Sequence, residues 1–151
     1  ETTLEVGVAA FPEKHPESPD FAHDAKVLNL KQQAGASYAI TQLFFTVDAY
    51  VELVETSKAA GATLPIVPGL MPIGNAERIV RMAQMSGAKL PVELLKKFES
   101  ADEAQARVIG MDYSIKLATD LIAAGAPGLH IYTLNLAKAA IEVARGAGLC
   151  H

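Results

Sequence analysis

The sequence predicts an α/β fold built from parallel strands, and three observations lead to this prediction. Short apolar runs alternate with longer helical patterns four times along the 151 residues. The runs are apolar almost throughout, which is typical of parallel strands that are covered by helices. The tripeptide Ala-Gly-Ala stands at three helix-to-strand junctions, at 34–36, 60–62 and 124–126. Four repeated strand–helix units make either half of a (βα)8 barrel or a small open α/β sheet.

Composition and charge limit the classes of function. Hydrophobic residues make up 50% of the chain, which is enough for one domain with a substantial core. No apolar run reaches the ~18 residues of a membrane span, so we expect no membrane partner. The net charge is −4, and lysine and arginine are scattered without a basic stripe, which argues against nucleic acid as a partner.

The ends of the chain and its one cysteine give two further expectations. Cys150 alone makes no disulfide framework, and no targeting segment is visible, so we expect a reducing, cytoplasmic compartment. The chain begins at Glu1 rather than methionine, and an apolar run follows almost at once. We therefore expect part of a longer polypeptide, and this expectation favours the half-barrel over the open sheet.

The first two units are predicted as follows. A strand at 3–10 leads through a proline-stiffened loop to a helix that Ser18 caps. The second strand takes 37–45, and Thr46 caps the helix that follows it. Gln42 interrupts the apolar run of this strand. Because a buried amide needs partners for an acceptor and two donors, Gln42 either bonds nearby backbone or faces a ligand.

The third and fourth units contain an additional helical insertion. A strand at 64–67 is closed by a loop at 68–72, Asn75 caps a helix, and a shorter helix follows at 91–98. Capping-box spacing at 100–103 and Asn135 as a cap predict the starts of the last two helices. The last strand is expected at 129–134. The apolar face of the long helix is predicted at Ala104, Val108, Met111, Ile115, Ala118 and Ile122.

Unusual side chains follow every predicted strand, at the edge where parallel α/β folds place their sites. They are Phe11, Glu13 and His15, then Gln42, then the prolines and glycine at 68–72, and then Tyr132, Thr133 and Asn135. The glycine spacing at 69–74 resembles a phosphate-binding loop but lacks the required lysine, so that motif is rejected. The spacing of His15, Asp20, His23 and Asp24 matches no familiar metal site, and no metal is predicted.

Four motifs at these strand ends resemble those of the methylenetetrahydrofolate reductase family. They occur in the family's order, and together they are far more specific than any one alone. The motifs are VAAFPEKHPE at 8–17, AITQLFF at 39–45, IVPGLMPI at 66–73 and GLHIYTLN at 128–135. The resemblance implies that residues 1–151 are the C-terminal half of a single (βα)8 TIM barrel domain, namely strands five to eight with their helices.

The resemblance also implies a flavin-dependent activity. Members of the family carry FAD across the strand ends. NADH or NADPH reduces the flavin, which passes the hydride to methylenetetrahydrofolate and gives methyltetrahydrofolate. This reaction belongs to one-carbon metabolism and methionine biosynthesis. The implied partners are methylenetetrahydrofolate, the N-terminal half of the barrel and the other subunits of a homo-oligomer.

Nine residues receive roles from the resemblance. The residues implied for FAD binding are Phe11, His15, Ser18, Asp24, Lys31 and Tyr132. The residues implied for substrate binding are Gln42, Arg78 and Met82. Lysine and histidine suit a diphosphate, aspartate suits a ribose hydroxyl, and an amide suits the alternating donors and acceptors of a pterin edge.

Two departures from the family pattern matter. Leu136 stands where the family typically has an arginine that contributes to the folate site, so Lys138 or another group would have to substitute for it. The family's general acid belongs to the first four strands of the barrel. No catalytic residue is therefore assigned within this half, although ring opening of the substrate requires a proton at the leaving nitrogen.

Two other functions are weighed against this one. The chain is alternatively a non-catalytic half-barrel that binds flavin, folate or a partner half, and the sequence does not separate this reading from the first. A different (βα)8 flavin oxidoreductase, such as a proline dehydrogenase-like enzyme, fits less well, because Gln42 and the His-Pro-Glu loop suit folate. Because a half-barrel exposes two sheet edges, we also expect it to associate with other chains.

Overall fold

Parallel strands in chain order form the centre of the fold, which a computed structural model describes for residues 4–150. The strands are β1 (Gly7–Ala10), β2 (Tyr38–Thr41), β3 (Ile66–Val67), β4 (Gly69–Leu70) and β5 (His130–Ile131). The helices are α1 (Phe21–Gln33), α2 (Val47–Ala59), α3 (Ala76–Ser86), α4 (Val92–Glu99), α5 (Glu103–Ala123) and α6 (Ala137–Gly146). Strands β1, β2 and β3 pair in that order, β4 pairs with β5, and every pairing is parallel. The predicted α/β fold with parallel strands is therefore confirmed.

A single proline divides what would otherwise be one strand. Pro68 has no N–H to donate, and the pairing with β2 ends at Val67. The carbonyl of Pro68 accepts a hydrogen bond from the N–H of His130 at 3.0 Å, and β4 pairs with β5 from there. The sequence predicted a loop at 68–72, so the short pairing of β4 was missed.

Side-chain caps fix the starts of the first three helices. Thr46 and Asn75 each accept a hydrogen bond from the N–H three residues further on, as predicted. The prediction that Ser18 caps α1 is wrong, because Asp20 accepts from the N–H of His23 at 2.7 Å. The hydroxyl of Ser18 instead donates to a side chain of α1.

Two further predicted caps are also wrong. The capping box of α5 is formed by Asp102 and Gln105 rather than at 100–103. Asn135 has a φ of 64° and does not cap α6; Leu136 takes the cap position without a side-chain hydrogen bond. The first turn of α6 therefore keeps backbone N–H groups that no capping side chain satisfies.

The main core lies between the strands and helices α1, α2, α5 and α6. Ala39 of β2, Leu121 of α5 and Val143 of α6 are completely buried. Fully burying an aliphatic side chain of valine or leucine size contributes ~1.5–3 kcal/mol. The buried face of α5 consists of Ala106, Gly110, Met111, Ser114, Leu117, Ala118 and Leu121. This buried face differs from the predicted one. Val108, which was predicted to be part of the apolar face, is 55% exposed.

A second core cluster lies beyond the C-terminal ends of β2 and β4. Phe45 and Ile73, from the segments after these strands, are buried with Ile79 of α3 and Leu94 of α4. Helix α5 approaches this cluster closely, because a Cβ at Gly110 would be 2.2 Å from the carbonyl oxygen of Ile73. Helices α3 and α4 share this cluster with the segment that follows β4.

The face of the sheet opposite the main core is less covered. Val8 and Ala10 pack in the core, so alternation places Gly7 and Ala9 on the opposite face, where both are exposed. Tyr38 pairs with Gly7 and is half-buried there. Within the range 4–150, no helix combines the length and the apolar character that crossing a bilayer would demand.

Candidate functional site

Buried contacts hold together the C-terminal ends of three strands. Thr41, at the end of β2, has a fully buried side chain whose hydroxyl oxygen accepts a hydrogen bond from the N–H of Gly69 at 2.8 Å. The hydroxyl of Tyr132 donates to the carbonyl of Thr41, also at 2.8 Å. Burial raises the pKa of Tyr132, which keeps its hydroxyl protonated as the donor. A side chain at position 69 would collide with both partners, so only glycine fits.

Gln42 directly follows Thr41, and nearby backbone satisfies only one end of its side-chain amide. Its backbone N–H donates to the carbonyl of Ala10 at 2.8 Å, which extends the pairing of β1 and β2. Its side-chain oxygen accepts from the N–H of Leu43 at 2.8 Å, so nearby backbone satisfies the carbonyl end. The amide nitrogen donates to no group of residues 4–150 and remains available to a ligand.

A first cavity lies beside the loop after β1, and we call it the β1 cavity. It encloses about 370 Å³. Its lining residues are Ala9, Ala10, Phe11, His15, Ser18, Asp24, Val27, Leu28, Lys31 and Leu53. Five of the six residues predicted for FAD line this one cavity, although they are spread over 21 positions of the sequence, from 11 to 31.

Hydrogen bonds to Asp24 organise the loop that borders the β1 cavity. Its carboxylate accepts from the backbone N–H of His15 at 2.8 Å and from the hydroxyl of Ser18. Lys14, which has a φ of 68°, donates from Nζ to the carbonyl of Ser18 at 2.6 Å. A non-glycine residue in this conformation persists only when its surroundings fix it, and here its own side chain supplies a bond.

Two groups in the β1 cavity are suited to an anion. Nδ1 of His15 accepts from the N–H of Glu17 at 3.1 Å, so the neutral ring carries its proton on Nε2 and can donate. Nζ of Lys31 donates to the carbonyl of Ala9 at 2.8 Å and has two further protons. The ring of Phe11 meets His15 edge-on, with centroids 4.6 Å apart. His15 and Lys31 thus offer two hydrogen-bond donors beside the aromatic ring of Phe11.

A tether connects this loop to the helical insertion. Oε2 of Glu13 accepts a hydrogen bond from the backbone N–H of Lys89 at 2.7 Å, across 76 residues of sequence. Burial raises the pKa of Glu13, and the bond from Lys89 opposes that rise. Since β2 lies between β1 and the strand that precedes the insertion, the tether joins the segments on either side of Gln42.

A second cavity lies between α3 and the turn that joins β5 to α6, and we call it the β5 cavity. It encloses about 630 Å³. Its lining residues are Met71, Pro72, Gly74, Asn75, Arg78, Ile79, Arg107, Tyr132, Thr133, Leu134, Asn135, Leu136, Ala137, Lys138 and Ala139. The turn in its wall is unusual, because two consecutive non-glycine residues, Leu134 and Asn135, have φ values of 46° and 64°.

The structure separates the remaining predicted residues. Arg78 and Tyr132 line the β5 cavity, so Tyr132 does not join the other residues predicted for FAD. Met82 lines neither cavity and packs, half-buried, against the second core cluster. The sequence did not suggest Arg107, which comes from the second turn of α5. Only the packing of that helix brings its side chain to a strand end distant in sequence.

Metal ligation has no geometric basis in the part of the chain that the structure describes. No group of three or more histidine, cysteine, aspartate or glutamate side chains there is placed to share an ion.

Comparison with known proteins identifies the family. The family model for methylenetetrahydrofolate reductase matches residues 2–148. The chain belongs to the methylenetetrahydrofolate reductase family. A methylenetetrahydrofolate reductase of Schizosaccharomyces pombe is 35% identical over 146 residues, which are 95% of this chain and 24% of that protein. The 5,10-methylenetetrahydrofolate reductase of Escherichia coli is 31% identical over 148 residues, 97% of this chain and 50% of that protein.

The chain thus spans between about a quarter and a half of these methylenetetrahydrofolate reductases. A solved structure from Clostridium thermocellum, described as an uncharacterized protein that binds two copies of 5-methyl-5,6,7,8-tetrahydrofolic acid, matches with a TM-score of 0.70. The match covers 97% of this chain and 55% of that one at 18% identity, and it therefore shows a shared fold.

Proposed function

We propose that this chain is the folate- and flavin-binding C-terminal half of a methylenetetrahydrofolate reductase barrel, comprising strands five to eight. The order of the strands supports this proposal, because they follow one another without the reversal of a doubly wound sheet. The thinly covered face of β1 and β2 is the face that a closed barrel would enclose. The match to half of the Escherichia coli relative agrees with the same division.

One observation carries the functional proposal. Phe11, His15, Ser18, Asp24 and Lys31, which the family resemblance marked for FAD, converge on the β1 cavity. Gln42, whose amide nitrogen is available, directly follows the neighbouring strand β2. A cofactor site and a substrate contact thus lie at neighbouring strand ends, as hydride transfer between two bound molecules requires.

The residues of the β1 cavity fit part of FAD. Lys31 and Nε2 of His15 would hold the diphosphate, and the ring of Phe11 would border an apolar portion of the cofactor. Asp24 would act mainly through the loop, since both of its oxygens already accept hydrogen bonds. FAD, when bound, would supply hydride transfer from NADH or NADPH to methylenetetrahydrofolate, giving methyltetrahydrofolate.

The described residues would position the substrate rather than supply its proton. Gln42 would orient the pterin through its amide nitrogen, and the buried Thr41 would hold that strand end in place. The proton for the opening ring would come from the other half of the barrel. A cytoplasmic location and a homo-oligomeric assembly complete the proposal.

The visible spectrum of the full-length protein tests the proposed function. We expect a flavin spectrum that NADH or NADPH bleaches and that methylenetetrahydrofolate restores. Lys31→Gln should lower the flavin content, whereas Lys26→Gln, an exposed lysine of the same helix that does not line the cavity, should leave it unchanged. A colourless protein without affinity for folate would overturn the proposal and favour a non-catalytic role.

A further inference from the structure

The tether between Glu13 and Lys89 begins in a loop whose position is fixed. The carboxylate of Asp24 accepts a hydrogen bond from the backbone N–H of His15 at 2.8 Å, which holds the loop after β1 against α1. Pro12, which directly precedes Glu13, is buried and restricts the backbone that leads into it. The loop that borders the β1 cavity therefore also sets the position of the Glu13 side chain.

The helical insertion fixes the other end of the tether. Gly87 ends α3 with a φ of 75°, and the N–H of Ala88 bonds back to the carbonyl of Ala83 at 3.0 Å. Ala88 is buried in the second core cluster, and Leu90 packs against the same cluster. Lys89 lies between these two residues, so its backbone N–H is held in place although its side chain is exposed.

The carboxylate of Glu13 is kept where a charge is costly. Burial raises the pKa of Glu13, and the hydrogen bond from the N–H of Lys89, 2.7 Å long, opposes that rise. Glu13 does not line the β1 cavity, whereas His15 and Lys31, the two donors suited to an anion, do. Because the tether directs the carboxylate to the insertion, these two donors remain available to a ligand.

The insertion in turn packs against the segment that follows Gln42. Leu43 and Phe45 are buried in the same cluster as Ala88. The far end of the tether is therefore in contact, through packed side chains, with the strand end that is proposed to orient the substrate. The tether joins the loop of the proposed cofactor site to the support of the proposed substrate contact.

We propose that Glu13 is a positioning residue that couples cofactor binding in the β1 cavity to the tethered arrangement of the loop and the insertion. FAD bound against the loop favours the tether, and the tether in turn raises the affinity for FAD. Such a coupling is reciprocal, so both effects have the same size. This inference rests on the proposed function, because it takes the ligand of the β1 cavity to be FAD.

Amide hydrogen exchange at Lys89, measured in the full-length protein with and without FAD, tests the coupling. We expect FAD to slow this exchange ~3- to 10-fold, as one partly exposed hydrogen bond to a carboxylate allows. The N–H of Gln105, which bonds to the exposed side chain of Asp102, is the reference amide and should not respond.

The variant Glu13→Ala lacks the acceptor of the tether. We expect FAD to have no effect on exchange at Lys89 in this variant, and the dissociation constant of FAD to rise by the factor by which FAD slows that exchange in the unaltered protein. Agreement between the two factors distinguishes coupling from a general loss of stability, which would accelerate exchange at Gln105 as well.

Four matched variants separate the hydrogen bond from the charge. Glu13→Gln keeps an oxygen that can accept from the N–H of Lys89 and should retain most of the response to FAD. Glu13→Asp keeps the charge on a side chain that is one methylene shorter and should lose most of it. Lys89→Ala keeps the backbone N–H, and Glu17→Ala removes an exposed carboxylate of the same loop, so both should behave like the unaltered protein.

The outcomes separate this inference from the proposed function. If FAD binds but leaves exchange at Lys89 unchanged, or if Glu13→Ala and Glu13→Asp keep the full response, the coupling is wrong and the proposed function stands. A full-length protein that binds no FAD would overturn both.

Discussion

Replacing Thr41 by valine tests whether one buried hydroxyl joins β2 to β4. Valine has nearly the same shape but cannot accept the hydrogen bond from the N–H of Gly69, which Thr41 accepts at 2.8 Å in a fully buried position. Leaving a buried backbone donor unsatisfied costs ~1–3 kcal/mol. The free energy of opening at this strand end should fall by that amount.

Amide hydrogen exchange at Gly69 measures this loss locally, in the full-length protein. A reduction of ~1–3 kcal/mol in the free energy of opening corresponds to exchange that is ~5- to 150-fold faster. Thr41→Ser keeps the hydroxyl and should retain most of the protection. Thr63→Val makes the same chemical change at an exposed side chain and should leave the exchange at Gly69 unaltered. Unchanged protection of Gly69 in Thr41→Val would refute the reasoning.

Three further predictions address the site and its support. Gln42→Ala should weaken folate binding and leave the flavin spectrum intact, because the amide nitrogen of Gln42 donates to no described residue; loss of flavin would contradict that role. In Lys31→Ala we expect flavin to dissociate more readily as ionic strength rises, measured by ultrafiltration, and a salt-independent affinity would exclude a diphosphate contact. Gly110→Ala should destabilise the protein by ~1–3 kcal/mol in denaturant unfolding, since the new Cβ would meet the carbonyl oxygen of Ile73. Full stability of this variant would show that α5 can move away.

Local rules predicted the order of the elements because each signal acts within a few residues. Thr46 and Asn75 cap their helices as expected, and the glycines at 35, 61 and 125 all take a positive φ at the ends of helices. Asp20 rather than Ser18 caps α1, because the hydroxyl of Ser18 donates to Asp24 instead. That competing bond joins the loop to the first turn of α1 and has no signature in the spacing of the residues.

The errors in the rest of the fold come from contacts between distant segments. The predicted apolar face of α5 followed hydrophobicity alone. The structure buries Gly110 and Ser114 instead, since the backbone around Ile73 approaches closely and needs a small residue and a hydroxyl there. The pairing of β4 with β5 was missed because proline usually ends a strand, and here it ends one pairing while its carbonyl begins another.

The sequence likewise predicted only part of the candidate site. All but one of the residues that line the β1 cavity come from the stretch 9–31. The family resemblance marked five of them, of which Phe11 and His15 lie in the motif at 8–17. The β5 cavity combines three helices, and Arg107 enters it from a position that no motif marks. Met82 shows the opposite case, because its half-buried side chain packs in the second core cluster rather than lining a cavity.

The division at Pro68 means that side chains, rather than a continuous backbone ladder, join the three-stranded sheet to the pair formed by β4 and β5. Thr41 accepts two hydrogen bonds across that junction, one from the N–H of Gly69 and one from the hydroxyl of Tyr132. The angle between the two sheets at this junction is therefore expected to depend on the side chains at positions 41 and 132.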